Sequence, residues 1–391
     1  MILHYSSYFI IIASVFAAAW LVQMFLQLML NLRVLRYSKT QKRQYASVDE
    51  AKPGVSIVIR THNQCAALKC NLPLLLDVDY LNFEVIVVDD MSTDGTLDLL
   101  TVMEQRSEYL FHTKITDKVR TMSHRKLALL LGVKAAHNEI IVTTTADCIP
   151  ATRNWLNAMV RQFGEKTDIV IGPMVFESRV GLIRRFCQYD LFQRLITMFG
   201  FALSFRAFAG WGSNMAFRKA VLFADNNKAF YSHLNIKTGE DDLMVSAMAR
   251  KDNVAVACST DALMISKERQ LVKAWSKDRV NRAFSAKRYG LVPKFLKCLD
   301  YSTRYLCVVA GVALAVMAAM SHDWTVLSAA LLLLVVRIII NVSLAYCTSK
   351  ELGIHRYLLS PVIYDLVIPV VDLVFWIRAS VHNKTFYVSR V

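Results

Sequence analysis

Charge is scarce in this sequence: 20% of its 391 residues are Asp, Glu, Lys or Arg, against about a quarter in an ordinary soluble domain. Hydrophobic residues make up 55%, and much of the excess sits in long runs near the two ends, as membrane segments require. No CxxC pair occurs among the eight cysteines, at 65, 70, 148, 187, 258, 298, 307 and 347. A paired metal-ligand set is therefore not expected, and the thiols suit a reducing compartment. There is no internal repeat, no low-complexity stretch and no nucleic-acid recognition motif. The net charge of +15 then needs another partner. Its basic residues gather beside the apolar runs and along residues 267–288, which suits anionic lipid headgroups and a diphosphate rather than nucleic acid.

No basic stretch precedes the first apolar run either. Residues 8–30 carry no ionisable group except Tyr8, which is length enough for a spanning helix. A signal peptide would follow basic residues and end at small ones. Here Arg33, Arg36, Lys39, Lys42 and Arg43 come after the run, so the expectation is an uncleaved anchor (1–31) and a basic linker (32–53) on the cytoplasmic side. Further apolar runs at 305–320, 325–346 and 357–377 make a C-terminal membrane region (300–380) with two to three spans, then a tail (381–391). The second run holds Arg337, which must face a neighbour or water. The third holds Pro361, Asp365, Pro369 and Asp372, so a span and a re-entrant element both stay open. With them stays open the side on which Arg378, Lys384 and Arg390 lie.

Between the apolar ends, short β-branched runs alternate with helical spacing. The patterns give strands at 55–60, 83–88 and 140–144, and helices at 65–76, 97–106, 126–137 and 151–163, the last entered by Pro150. Such alternation is an α/β fold, a mostly parallel sheet with helices on both faces, which binds ligands at the carboxyl ends of its strands. Polar clusters at 60–63, 89–90 and 145–148 each directly follow a strand.

The segments VSIVIRTHN (55–63), FEVIVVDDMSTDGT (83–96) and KLALLLGVKAAHNEIIVTTTADCIP (126–150) resemble the first motifs of the inverting family 2 glycosyltransferases of the GT-A type. GWGSNMAFRK (210–219), TGEDDLMV (238–245) and AWSKDRVNRAFSAKRY (274–289) resemble the later ones, in the same order. The resemblance covers 54–290 and implies a cytosolic nucleotide-sugar-binding domain held at the plasma (inner) membrane. It places Thr61, His62, Asp90, Lys126, Arg279 and Arg282 at the donor, where a carboxylate suits a base N–H and a pair of arginines suits a diphosphate. It places Asp147 on a divalent metal, Mg²⁺ or Mn²⁺, although Thr145 stands where the family's first Asp would be and brings no charge. Asp241 is then the catalytic base, with Glu240 shaping its pocket, since crowded carboxylates raise one another's pKa.

Each position also has a bland use: Asp89 and Asp90 as turn caps, Asp147 as a helix cap, residues 240–242 as a first helical turn, and Arg279 with Arg282 as a face lying on lipid. The family's QxxRW form is missing, which favours one sugar per acceptor. The implied acceptor is a hydroxyl of a lipid or lipid-linked glycan, as in cell-envelope polysaccharide or glycolipid synthesis. The competing expectation, favoured by Thr145 alone, is a non-catalytic sugar-nucleotide-binding subunit of a membrane glycan-export complex.

Overall fold

The computed structural model describes residues 7–44, 53–116, 122–177, 181–223, 233–268 and 270–382. Helix α1 (Ser7–Gln44) leads into a central sheet built from β1 (Val55–Thr61), β2 (Phe83–Asp89), β3 (Leu110–Lys114) and β4 (Ile140–Thr145). A short β5 (Cys148–Pro150) follows, then β6 (Ile169–Ile171), β7 (Met174–Phe176), β8 (Met215–Arg218), β9 (Val254–Val256) and β10 (Met264–Ser266). The main sheet has the order β3-β2-β1-β4-β8-β6-β9, and β5-β10-β7 form a second, small sheet. In the main sheet only β8 runs against its neighbours. Strand β2 is buried along its whole length and β1 at all but one residue, the signature of a sheet covered on both faces.

The covering helices are α2 (Cys65–Leu76), α3 (Thr96–Glu104), α4 (His124–Ala135), α5 (Trp155–Val160), α6 (Leu182–Ser204), α7 (Lys219–Phe223), α8 (Asp242–Met248) and α9 (Leu271–Ala286). Helix α4 lies close on β1 and β2: a Cβ at Gly132 would stand 2.4 Å from Val58 Cγ1 and 3.2 Å from Val88 Cγ2. That approach brings the start of α4 down to the strand ends that carry the polar clusters. One expected helix is corrected here. Residues 148–150 pair antiparallel with β10, so Pro150 lies in an edge strand, where its missing N–H costs nothing, and the helix begins only at Trp155.

The C-terminal part comprises α10 (Leu291–Met320), α11 (Trp324–Glu351), α12 (Ser360–Tyr364) and α13 (Val367–Val381). Three helical stretches are long and apolar enough to cross a membrane: Ser7–Lys42, Leu291–Met320 and Trp324–Glu351. The run at 357–377 is not one of them, because it breaks between α12 and α13 at Asp365 and Leu366. Pro369 has no N–H for the Asp365 carbonyl four residues back, and Arg304 Nη1 donates to that carbonyl instead, at 3.0 Å. Asp365 receives Arg304 Nη1 at 2.8 Å and also Arg337, so the costly intramembrane arginine faces a carboxylate, as it must. Lys384 and Arg390 of the tail lie outside the described residues.

The linker is the second correction. Helix α1 does not end at the bilayer but continues to Gln44, and Val34, Ser38 and Gln41 share one buried face of it. Ser38 Oγ donates to the Cys258 carbonyl at 2.8 Å. Gln41 Nε2 donates to the Val256 carbonyl at 2.7 Å, and its Oε1 accepts from Cys258 N at 2.8 Å. The basic stretch thereby closes the open edge of β9, satisfying backbone groups that an edge strand would leave bare. Gln41→Ala removes both bonds from buried groups, at a cost of about 1–3 kcal/mol. It is expected to lower the apparent melting temperature of the solubilised protein, whereas Lys39→Ala, on the exposed face of the same helix, leaves it unchanged. Equal melting of the two variants would show that the edge does not depend on Gln41.

Candidate active site

The register sets three strand ends side by side. Thr61 is level with Asp89, and Arg60 is level with both Val88 and Thr145. Strand β1 has β2 on one flank and β4 on the other, so the chain leaves it in opposite directions and a crevice opens at its carboxyl end. The loop there holds two non-glycine residues in the left-handed region, Asn63 (φ 52°) and Met91 (φ 57°). Asn63 Oδ1 accepts from Thr93 N at 2.8 Å and the Asn63 N–H donates to Ser92 Oγ at 2.8 Å, which ties the β1 loop to the β2 loop.

The two aspartates after β2 divide the work. Asp89 Oδ2 accepts from Ser92 N at 3.1 Å, so the turn-capping use belongs to Asp89. Asp90 is buried and takes Arg60 Nη2 at 2.8 Å and Nε at 3.2 Å on Oδ2, with His124 Nδ1 at 2.8 Å on Oδ1. Burial alone would raise the Asp90 carboxyl, but these bonds and charges hold it below the usual carboxylate value. His62 is exposed and its Nδ1 donates to the Asp90 carbonyl at 2.5 Å. Thr61 Oγ1 is buried without a partner among the described residues, a polar atom left for a ligand or water to satisfy.

Asp147 follows β4 and is half-buried. Its Oδ2 accepts from Ser266 Oγ at 2.5 Å and its carbonyl from Lys267 N at 2.8 Å, so β10 orients the carboxylate. Thr145 Oγ1 donates to Cys148 Sγ at 3.2 Å. Among the described residues no three His, Cys, Asp or Glu side chains gather as a cage. One oriented carboxylate still fits Mg²⁺ or Mn²⁺ of the kind that takes one or two protein ligands and is otherwise held by substrate phosphates.

The acidic cluster is the most constrained part. Asp242 is buried, taking Arg194 Nη2 at 2.8 Å on Oδ1 and the Tyr289 hydroxyl at 2.7 Å on Oδ2. Glu240 Oε1 accepts from Arg125 Nη1 at 2.8 Å, while Oε2 is buried without a partner among the described residues. Among the described residues Asp241 receives only backbone N–H groups, Gly212 at 3.0 Å and Asp242 at 2.7 Å. Desolvation foremost, then the charges of Asp242 and Glu240, pushes its carboxyl up to about 7. It caps α8 at the same time.

Three of the expected donor residues stand elsewhere. Lys126 is fully buried, and its ammonium donates to the Ile236 carbonyl at 3.1 Å and to that of His233. It anchors the loop before Glu240, and burial lowers it to about 8. Arg279 and Arg282 do share a helical face on α9, but they are already engaged. Arg279 pairs with Asp190 and Asp372, and Arg282 Nε lies 2.8 Å from Asp278 Oδ2. A guanidinium already neutralised by carboxylates is a poor diphosphate ligand. Asn214 of the GWGSN segment is likewise structural: it donates to the Pro173 and Ala262 carbonyls at 2.7 and 2.8 Å and accepts from Trp155 Nε1 at 3.0 Å.

The sequence reading overlooked Arg60, His124, Arg125, Arg194 and Tyr289. His124 and Arg125 directly precede Lys126, and the three successive side chains of α4 reach Asp90, Glu240 and the 233–236 loop in turn. A basic triplet at a helix start, where cations oppose the helix dipole, was the available signal.

Residues 56–223 match the family described as "Glycosyl transferase family 2". No curated protein sequence matches the chain. Among solved structures, the mannosyltransferase PcManGT from Pyrobaculum calidifontis, in complex with GDP-Man and Mn²⁺, is similar over 94% of this chain and 99% of its own, at 19% identity and TM-score 0.50. S. aureus TarS 1-349 in complex with UDP-GlcNAc covers 86% of this chain and 93% of its own, at 14% identity and TM-score 0.41. The matched segment contains the level strand ends, Asp90 and Asp147, so residues 56–223 form a family 2 glycosyltransferase domain of the GT-A fold, in a chain with three helices long and apolar enough to cross a membrane.

Proposed function

We propose that residues 54–290 form a cytosolic domain that moves a sugar, with inversion, from a nucleoside diphosphate donor to a hydroxyl of a lipid or lipid-linked glycan at the inner membrane. One sugar is added per acceptor, and 300–380 is the membrane region that holds the domain in place. The observation that carries this reading is the Asp241 carboxylate, aimed by the Gly212 N–H and raised to about 7, where a base is both deprotonated and strong enough to take an acceptor proton. Asp242 cannot share the role, because Arg194 and Tyr289 occupy both its oxygens.

On the donor side, Asp90 with Thr61 and His62 faces the nucleoside. Asp147 contributes a carboxylate to Mg²⁺ or Mn²⁺, and the Mn²⁺ complex of the Pyrobaculum calidifontis relative supports that choice. The metal, when bound, withdraws charge from the leaving diphosphate. The acceptor oxygen then attacks the anomeric carbon from the face opposite the diphosphate as Asp241 takes its proton. One observation favours a second reading, a sugar-nucleotide-binding subunit of an export complex: Thr145 is uncharged and spends its hydroxyl on Cys148. Release of nucleoside diphosphate by membranes carrying the protein, given an acceptor extract, separates the two.

Asp241→Asn keeps the shape and removes the proton acceptor. Transfer is expected to fall about a hundred- to ten-thousand-fold while donor binding, read by calorimetry, stays near that of the unaltered protein. In the unaltered protein kcat should rise with pH through about 7, since the working form of Asp241 is the deprotonated one and protons remove it below that value. Near-normal turnover of the variant, or a flat profile from pH 6 to 8, rules Asp241 out (the window being about one unit either side of the midpoint).

Asp147→Ala is expected to weaken metal-dependent donor binding and rate together. Full activity of the unaltered protein in a chelator sinks the metal part of the proposal, whatever the variant does.

A further inference from the structure

A cavity of about 790 Å³ lies where α1, α6, α9, α10 and α13 meet. It is not the donor crevice, for none of Thr61, Asp90, Asp147 or Asp241 lines it. Its walls differ sharply in chemistry. Leu30 of α1 and Leu373 and Trp376 of α13 make an apolar side, and α1 and α10 are themselves membrane-crossing candidates. On the other side seven arginines and lysines face three aspartates. Several of these cations are paired, but among the described residues Lys287 and Lys294 have no carboxylate: Lys287 donates to the Ser380 hydroxyl at 2.9 Å and lies over the Trp376 ring, and Lys294 donates to the Lys287 carbonyl at 2.6 Å. Arg282 Nη2 is buried without a hydrogen-bond acceptor among the described residues and stands 3.6 Å from Asp190. Positive charge gathered beside an apolar wall, with Lys287 half-buried and Lys294 exposed, is complementary to an anion carried on a hydrocarbon chain.

The cavity also touches the chemistry. Arg194 and Tyr289 both line it, and both bond Asp242, the residue next to the base. We infer that this cavity is the acceptor site, and that the acceptor is an amphiphile bearing a phosphate ester between its hydrocarbon chain and the hydroxyl that is glycosylated. The phosphate sits between Lys287 and Lys294, the chain lies along Leu30, Leu373 and Trp376, and the hydroxyl points past Arg194 and Tyr289 towards Asp241. This rests on the transferase reading for the meaning of the site, but not for its existence.

Cys298 lines the cavity and is exposed, and Cys70 is exposed but does not line it. The test uses the full chain in phosphatidylcholine nanodiscs, alkylated with N-ethylmaleimide and read by peptide mass spectrometry. Farnesyl phosphate at roughly ten times its Kd should slow alkylation of Cys298 about tenfold by mass action and leave Cys70 unchanged. Farnesol and inorganic phosphate should protect far less. Lys287→Gln should raise the Kd for farnesyl phosphate roughly tenfold, as loss of a charge-assisted bond does, and Lys287→Arg should restore it. Equal protection by farnesol would leave only an apolar hole, and equal protection by inorganic phosphate only a small-anion site; either overturns the assignment, as does no protection at all. Labelling needs no donor, so failure here with nucleoside diphosphate release intact removes the acceptor site and leaves the transferase reading standing. Protection without any release does the reverse.

Discussion

Three consecutive carboxylates must share one small volume, and the structure gives a cation to only two of them. Glu240 has Arg125 and Asp242 has Arg194. Among the described residues no cation bonds Asp241, which is left with backbone N–H groups. Desolvation first, then the carboxylates of Asp242 and Glu240 beside it, make a negative charge on Asp241 costly, so its proton is held more tightly than in water. On the proposed reading, this inequality is what fits Asp241 to take a proton. Burial raises the Asp242 carboxyl as well, but Arg194 and the Tyr289 hydroxyl pull against it.

Holding that inequality requires the surrounding elements to be rigid, and α4 supplies much of the rigidity. Its first turn reaches the donor side through His124 and the acidic loop through Arg125 and Lys126. Its C-terminal half is pressed onto β1 and β2 where Gly132 leaves no room for a side chain. A small shift of this helix would move Asp90's partner and Glu240's partner together. Donor binding and the setting of the base are thus mechanically joined through one helix, in line with the need to hold reacting groups to a fraction of an ångström.

What could be read from the sequence, and what could not, follows the range of the interactions. Strands β1, β2 and β4 announce themselves as β-branched runs ending in polar residues, and Asp90 and Asp241 lie within a few positions of the elements that carry them. The bounds of α2 were legible for the same reason. The misread positions depend on distant partners. Residues 36–44 look like a polar linker until Gln41 is seen to meet Val256 and Cys258. Arg279 looks free until Asp190 and Asp372 are found beside it. Residues 148–150 look like a helix entry because their partner strand lies more than a hundred positions away, at Met264–Ser266. Local spacing carries no trace of such pairings.

The membrane elements are therefore part of the site's architecture and more than a tether. Helix α1 closes the β9 edge, and α13 supplies Asp372 to Arg279 of α9. Helix α9 is followed directly by α10, and the Lys287 and Tyr289 that lie between their helical runs look into the same space as Leu30. Burying a charge network at this junction is costly unless every ion finds a partner, and here the partners come from both the sheet domain and the membrane helices. Loss of α13 would strip Asp372 from Arg279 and leave that buried guanidinium to Asp190 alone, one helical turn along α6 from the Arg194 that bonds Asp242.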